Sequence, residues 1–412
     1  MGQYTGKAVR YGAGIESWEM FNHMGANNLT IVAPGGSTVG TGGGWLSGGG
    51  HSTITSAVGL GSDQVLSLQV VTADGSLLTA SPEENEDLFY ALRGGGGATY
   101  AIILSVVAKA HSQITTISSS LNFGYSSTQT PPQGTPVNSA DKFWEAVSLY
   151  YRFARKVVDA GGLGFSYIYP LENNSYRFTT SSTLPNKTPQ QFVDFMQPLY
   201  SDLNSKGINA VNSRPAAARL YGTGGRSGSA GPGNLRYTSR LFPRTHWDDD
   251  DLWNKSMNAI RRAVEAGYTF HGTLHSPNER VAGWPGNDSA VNPAWRVAAL
   301  HAMLFYKEQR LAITPQQAAE AQVAINGYMD TWRELTPGSG AYINEADPAE
   351  PNWQESFFGN LYPRLLSIKQ QRDPWGLFWA PTTVGSEPWE VTAVDGYPFS
   401  ENGKLCRTGN SS

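Results

Sequence analysis

The chain has 412 residues, 40% of them hydrophobic and 16% charged, with a formal net charge of −4. That length allows two or three domains with a sizeable core, and mild acidity without a basic stripe argues against nucleic acid as a partner. No apolar run is long enough to mark a membrane span, and the single cysteine, Cys406, excludes an intrachain disulfide and a cysteine-based zinc site.

In chain order, residues 7–14 read as a strand and turn, and 16–24 as a helix ending near Gly25. The apolar stretch 29–32 reads as a strand feeding the densest feature of the chain. Nine of the sixteen residues from Gly35 to Gly50 are glycine, and His51 and Ser52 follow at once. Backbone stripped of Cβ atoms can press against a large flat or phosphorylated ligand, and converging amides suit a pyrophosphate. The dinucleotide fingerprint fails, because its third glycine would fall on Trp45 or Ser47. The P-loop fails too, since no lysine lies between Gly35 and Ser62.

Residues 64–72 alternate as a strand, and Ala73-Asp74-Gly75-Ser76 turns the chain back into 77–79. Ser81-Pro82-Glu83-Glu84 reads as a helix start, and that helix ends in the second cluster, Gly94 to Gly97. Residues 100–110 form an apolar strand. Beyond about His111 the character changes. Strands are expected over 118–123, 164–170, 177–182 and 298–305, and helices over 139–158, 189–205, 252–266 and 316–335. This order of elements predicts an α+β domain with an antiparallel sheet. The four aspartates Asp248 to Asp251 read as a helix N-terminus instead of a metal cluster. His271 and His275 read as core or surface histidines, and no metal site is expected. The stretch 222–233, rich in Gly, Ser and Arg, reads as a mobile loop over a ligand.

Several segments, in order and spacing, resemble the berberine-bridge-enzyme-like flavin oxidases of the vanillyl-alcohol-oxidase superfamily, the fungal members most. They are Ser37-Thr38-Val39-Gly40, Gly48-Gly49-Gly50-His51, residues 59–65, Val71-Thr72-Ala73-Asp74-Gly75, the run from Asp87 to Gly97, and the tail from Tyr342 to Phe378. The resemblance implies an α+β fold: a PCMH-type FAD-binding domain, N-terminally incomplete, over residues 1–112. A substrate domain with an antiparallel sheet flanked by helices would span 113–340, and a C-terminal segment, 341–412, would return to the FAD domain. It implies FAD along the glycine loop, touching Gly36, Ser37, Thr38, Val39, Gly40, Gly43, Gly44, His51, Ile102 and Asn344. It also implies an oxidase that moves a hydride from a small alcohol, sugar or secondary metabolite to the flavin and on to O2. Three departures stand out. Gly36 replaces the cysteine that forms a thioether with the flavin, so that link cannot form. The first FAD subdomain, with the histidine of the other link, is expected upstream of Met1. Leu361 stands where the family has asparagine.

Oxidising a C–H bond beside a heteroatom needs a base for the heteroatom proton. Glu345 occupies the family's tyrosine position in Tyr342-Ile343-Asn344-Glu345 and is the candidate base, with a turn-capping role as the alternative; burial there raises a carboxyl pKa into a useful range. Tyr342 and Asn344, on one face of an expected strand, orient substrate or flavin, or Tyr342 only packs. Arg93 meets a phosphate or forms a structural salt bridge, and Asp63 caps backbone amides. A protein of this fold without redox activity, serving binding or cofactor-free cyclisation, is the competing expectation. Six Asn-x-Ser/Thr sequons, at Asn28, Asn173, Asn186, Asn254, Asn287 and Asn410, together with the resemblance, favour secretion, while the first residues carry no apolar signal core.

Overall fold

The computed structural model describes the chain apart from residues 1–3, 98, 129–133, 216, 223–235, 308–312 and 410–412. Two sheets carry the architecture. The first has strands β1 (Lys7–Gly12), β2 (Leu29–Thr30), β3 (Val65–Val71), β4 (Leu77–Ala80) and β5 (Ile102–Ser112), in the order β1-β5-β3-β4, with β2 paired to the end of β5. The alternation read in the sequence shows in β3, where Leu66, Leu68 and Val70 are buried and Ser67 and Gln69 are half-buried. Gly75, at φ 83°, closes the turn into β4.

The second sheet has β6 (Thr115–Tyr125), β7 (Thr135–Val137), β8 (Leu163–Leu171), β9 (Ser175–Pro185), β10 (Arg219–Leu220), β11 (Tyr237–Pro243), β12 (Thr269–Leu274) and β13 (Ala298–Phe305). Its order is β10-β6-β9-β8-β12-β13-β11, and β7 runs parallel beside β6. Asn173 and Asn174, at φ 55° and 53°, make the β8–β9 hairpin turn. One face of this sheet buries Phe123, Ile168, Phe178, Phe270 and Leu300 against four helices, Ala140–Asp159, Pro189–Ser205, Asp250–Glu265 and Pro315–Leu335. The helix Ala140–Asp159 shows why. Ser139 Oγ accepts the Lys142 N–H, and Phe143, Val147, Tyr150, Ala154 and Val157 recur at helical spacing on its buried side. Each large side chain so buried contributes roughly 1.5–3 kcal/mol. Asp249 caps the helix Asp250–Glu265 through the N–H groups of Asp251 and Leu252, the role expected of the aspartate run. The other face of the sheet is free of these four helices; the short helix Ala294–Val297 sets Trp295 against it, 5.6 Å from the His301 ring, and His301 there lies 6.1 Å from the His51 ring that follows the glycine loop.

Three local expectations are corrected. The first helix runs Ser17–Asn27, straight through Gly25, and ends where Asn28 takes a left-handed φ of 53°. Ser81 does not start a helix: its hydroxyl accepts the N–H groups of Glu83 and Glu84 in a turn, and the helix begins at Glu86. Tyr342 and Asn344 are not on a strand. Ile343–Glu345 is a single 3-10 turn with no partner strand, because the side chains of Tyr342 and Asn344 bond the glycine loop instead. Most of the expected loop over a ligand, 222–233, and the sequon at Asn410 lie outside the described residues.

Candidate active site

The glycine run divides into two parts with different surroundings. Gly48, Gly49 and Gly50 are buried, and Gly49 and Gly50 hold φ values of 125° and 84°. A Cβ on Gly48 would stand 2.0 Å from Asn344 Oδ1, and one on Gly50 would stand 2.8 Å from the Trp45 ring. These glycines are glycine because the protein packs on them. Gly35, Gly40, Gly43 and Gly44 have nothing within 4 Å of a built Cβ, and Gly35, Gly36, Val39 and Gly44 are exposed. Ser37 and Thr38 are half-buried between them. The second glycine cluster docks here: Gly94 and Gly96 donate to Ser47 O at 2.9 and 3.1 Å, and a Cβ on Gly97 would touch Gly44 Cα at 3.5 Å. Ile102 and Leu104 on one side of β5 are 53% and 43% exposed. The result is a strip of bare backbone beside exposed apolar side chains, the surface that a large, flat, phosphate-bearing group requires. These residues fit FAD.

At the buried end of the run the C-terminal segment locks in. The Tyr342 hydroxyl accepts the Gly50 N–H at 3.0 Å and an N–H of Asn344 Nδ2 at 2.7 Å, and Asn344 Nδ2 also donates to Trp45 O at 3.1 Å. Tyr342 is 1% exposed, and burial followed by the nearby Glu345 charge raises its pKa, so its proton stays on. This interlock brings Glu345 to His51, with Oε1 3.1 Å from Nε2, and to His301 of β13, with Oε2 3.5 Å from Nδ1. His51 therefore stands among catalytic candidates, where sequence reasoning had placed it with the cofactor.

Two further histidines complete the group. The His275 ring lies 4.8 Å from that of His51, and His271 stacks on Tyr167 at 4.1 Å. The strand register sets His271, Thr273, His301 and Phe305 on the face of the second sheet away from the four long helices. His271, His275 and His301 are the site residues that sequence reading passed over. The available signal was the strand period, which puts residues two and four apart on one face.

The electrostatics follow from burial against charge. Burial pushes the Glu345 carboxyl up, but the charge and hydrogen bond of His51, helped by His301 and His271, outweigh it and hold the group at about 2. Burial pushes His51 down, and the Glu345 charge and hydrogen bond more than restore it, so its pKa is raised. His301, deprived of water and only partly compensated by Glu345, falls to about 3, and His271 falls to about 4 for the same first cause. Expected bases thus become a fixed carboxylate and one imidazole able to carry the proton.

The remaining sequence candidates have structural partners. Arg93 donates to the carbonyls of Phe89, Pro285 and Asp288 and is buried, neither meeting an open surface nor forming an ion pair among the described residues. Asp63 accepts the Leu60 N–H at 2.8 Å, as expected, and also takes a two-pronged bond from Arg296 at 2.7 and 2.9 Å. Leu361 packs against the core of the first sheet. A cavity of about 430 Å³ lies beside the open glycines, lined by Gly35, Thr53, Thr116, Ser118 and Tyr221 among others.

Comparison with known proteins agrees with this geometry. Residues 3–81 match the family described as FAD binding domain, and residues 341–385 match Berberine and berberine like. The FAD-linked oxidoreductase ZEB1 of Gibberella zeae is 33% identical over 418 residues, covering 98% of this chain and 67% of that protein. The bifunctional decalin synthase calF of Penicillium decumbens is 31% identical over 414 residues, covering 98% and 67%. The crystal structure of a VAO-type flavoprotein from Myceliophthora thermophila C1 superposes with a TM-score of 0.82 at 30% identity, covering 99% of this chain and 71% of that one. The chain spans about two thirds of the length of these relatives, and nearly all of it is matched. The chain belongs to the VAO-type FAD-linked oxidoreductases with berberine-bridge-like C-terminal segments, and it is an FAD-dependent enzyme of that family.

Proposed function

We propose that the protein is an oxidase of a small alcohol, sugar or secondary metabolite, with O2 as the final electron acceptor. Bound FAD would supply the acceptor for the hydride, which carries both electrons. The chain's own contribution is the fate of the hydroxyl proton. With Nε2–H of His51 donating to Glu345, Nδ1 is the nitrogen left to accept that proton. The fixed carboxylate then balances the imidazolium, as the acid of a hydrolase triad does. Asn344 and Tyr342 hold Gly50 and the turn that presents Glu345, so they position the pair. The single observation that carries this reading is the 3.1 Å His51–Glu345 pair, partly exposed, where the glycine loop meets the His301 face of the substrate sheet.

Oxygen uptake by the FAD-loaded protein against a panel of alcohols and sugars tests it. Uptake that Glu345→Gln abolishes supports the oxidase. Retained FAD with no uptake across the panel overturns it and favours redox-neutral ring formation, a reading supported by the 31% identical decalin synthase.

A further inference from the structure

We propose that His51, His301 and Glu345 bind a divalent transition-metal ion of the zinc class, and that the bound ion disables the base. The binding itself stands apart from the oxidase reading; only the inhibition rests on it. Each of the three offers a ligand atom, and these atoms all lie within 4.8 Å of one another. Glu345 already bridges the two imidazoles, at 3.1 and 3.5 Å. Zinc bonds of about 2.0–2.2 Å in a tetrahedral site place ligand atoms about 3.3–3.5 Å apart. The two distances run to different oxygens of the one carboxylate, which spans the imidazoles, and side-chain movements bring the three ligand atoms from within 4.8 Å of one another to that spacing.

A second observation points the same way. Both ring nitrogens of His275 are buried with no hydrogen-bond partner among the described residues. Buried polar nitrogens without partners are rare and costly. The His275 ring sits 4.8 Å from that of His51, beside the three ligands, where an ion or its bound water would give it one. Imidazole and carboxylate donors select zinc-like ions over magnesium or calcium, which prefer all-oxygen shells. The ligands come from three separate elements, the loop after the glycines, β13 and the 3-10 turn, so the site is a product of the fold. Side-chain exposures of 21% for His51 and 31% for Glu345 leave a way in and an open position on the ion. An ion there takes the carboxylate and Nε2 of His51, and an imidazole holding a metal on Nε2 keeps its remaining proton on Nδ1, where the substrate proton would go.

Calorimetric titration of ZnCl2 into the untagged, FAD-loaded protein tests the proposal, with MgCl2 as the contrast. One zinc per chain is expected, with no heat from magnesium. Glu345→Gln and His51→Gln should each weaken zinc by about 10–100-fold, at least the loss seen when a supporting partner of a metal ligand is removed. Both positions are partly exposed, so these variants keep the fold. Absence of a zinc heat, or variants that bind zinc as well as the parent does, overturns the site. Because the heat is read without turnover, an inactive protein leaves this result intact. Where turnover is present, saturating zinc should lower kcat; turnover unchanged by bound zinc overturns the inhibition.

Discussion

Two acid–base pairs join the glycine-rich half of the molecule to the region of the second sheet, and they differ in how completely they are satisfied. Asp63 is fully buried and its carboxylate accepts Arg296 twice and the Leu60 N–H, while Arg296 also reaches Pro277 O, Gly286 O and Ser289 Oγ. Glu345 has only two histidines, stays 31% exposed, and sits beside imidazoles with unmet nitrogens. The first pair has no capacity left and holds the halves together. The second keeps capacity for a proton or an ion, and chemistry requires that. Charge pairing at a domain junction is common to both; spare hydrogen-bonding capacity separates the working pair from the holding one.

Breaking each pair in turn sharpens the contrast. Glu345→Gln should lower turnover by about 10²–10⁴-fold, the range for loss of a general acid–base group, with little change in melting temperature. Asp63→Asn should do the opposite. It leaves Arg296 buried without its counter-charge, which costs about 3–5 kcal/mol and is readable by urea unfolding. A smaller effect comes from pH. Burial depresses His271 to about 4 and lowers His246 and His111 in the folded chain. The unfolded chain protonates near the ordinary value of about 6.5. Between roughly pH 6.5 and 4 the unfolded state therefore binds more protons, and stability should fall as pH falls, by up to about 1.4 kcal/mol per pH unit for His271, with His246 and His111 acting in the same direction. Unchanged urea midpoints between neutral pH and mildly acid pH would count against this. Gly48→Ala should cost about 1–3 kcal/mol, because its Cβ meets Asn344 Oδ1 at 2.0 Å. Gly43→Ala, in open space, should be silent in stability and visible only as weaker FAD retention.

The sequence made the fold class legible because periodicity carries it. The helix at Pro189–Ser205 begins and ends where proline and apolar spacing put it, and β13 matches its apolar run. Local competition accounts for the misses. Ser81 satisfies its neighbours' amides in a turn, and Tyr342 and Asn344 spend their side chains on the glycine loop. The glycine run was read as one ligand cradle, yet part of it exists to admit Asn344 and Trp45, which no local pattern reveals. Glu345 was singled out by resemblance. Its pairing with His51, which the resemblance gave as a cofactor contact, and with His301 could not be read, since joining residues so far apart in the chain needs the fold.

That distance has a consequence for how the protein is made. His51 meets Glu345 across 294 positions, and Gly50 meets Tyr342 across 292. On the ribosome the glycine loop emerges well before its closing residues and waits without them until the C-terminal segment has been synthesised. The centre is thus a late product of biosynthesis, and any chain that stops short of the C-terminal segment carries the loop without the chemistry.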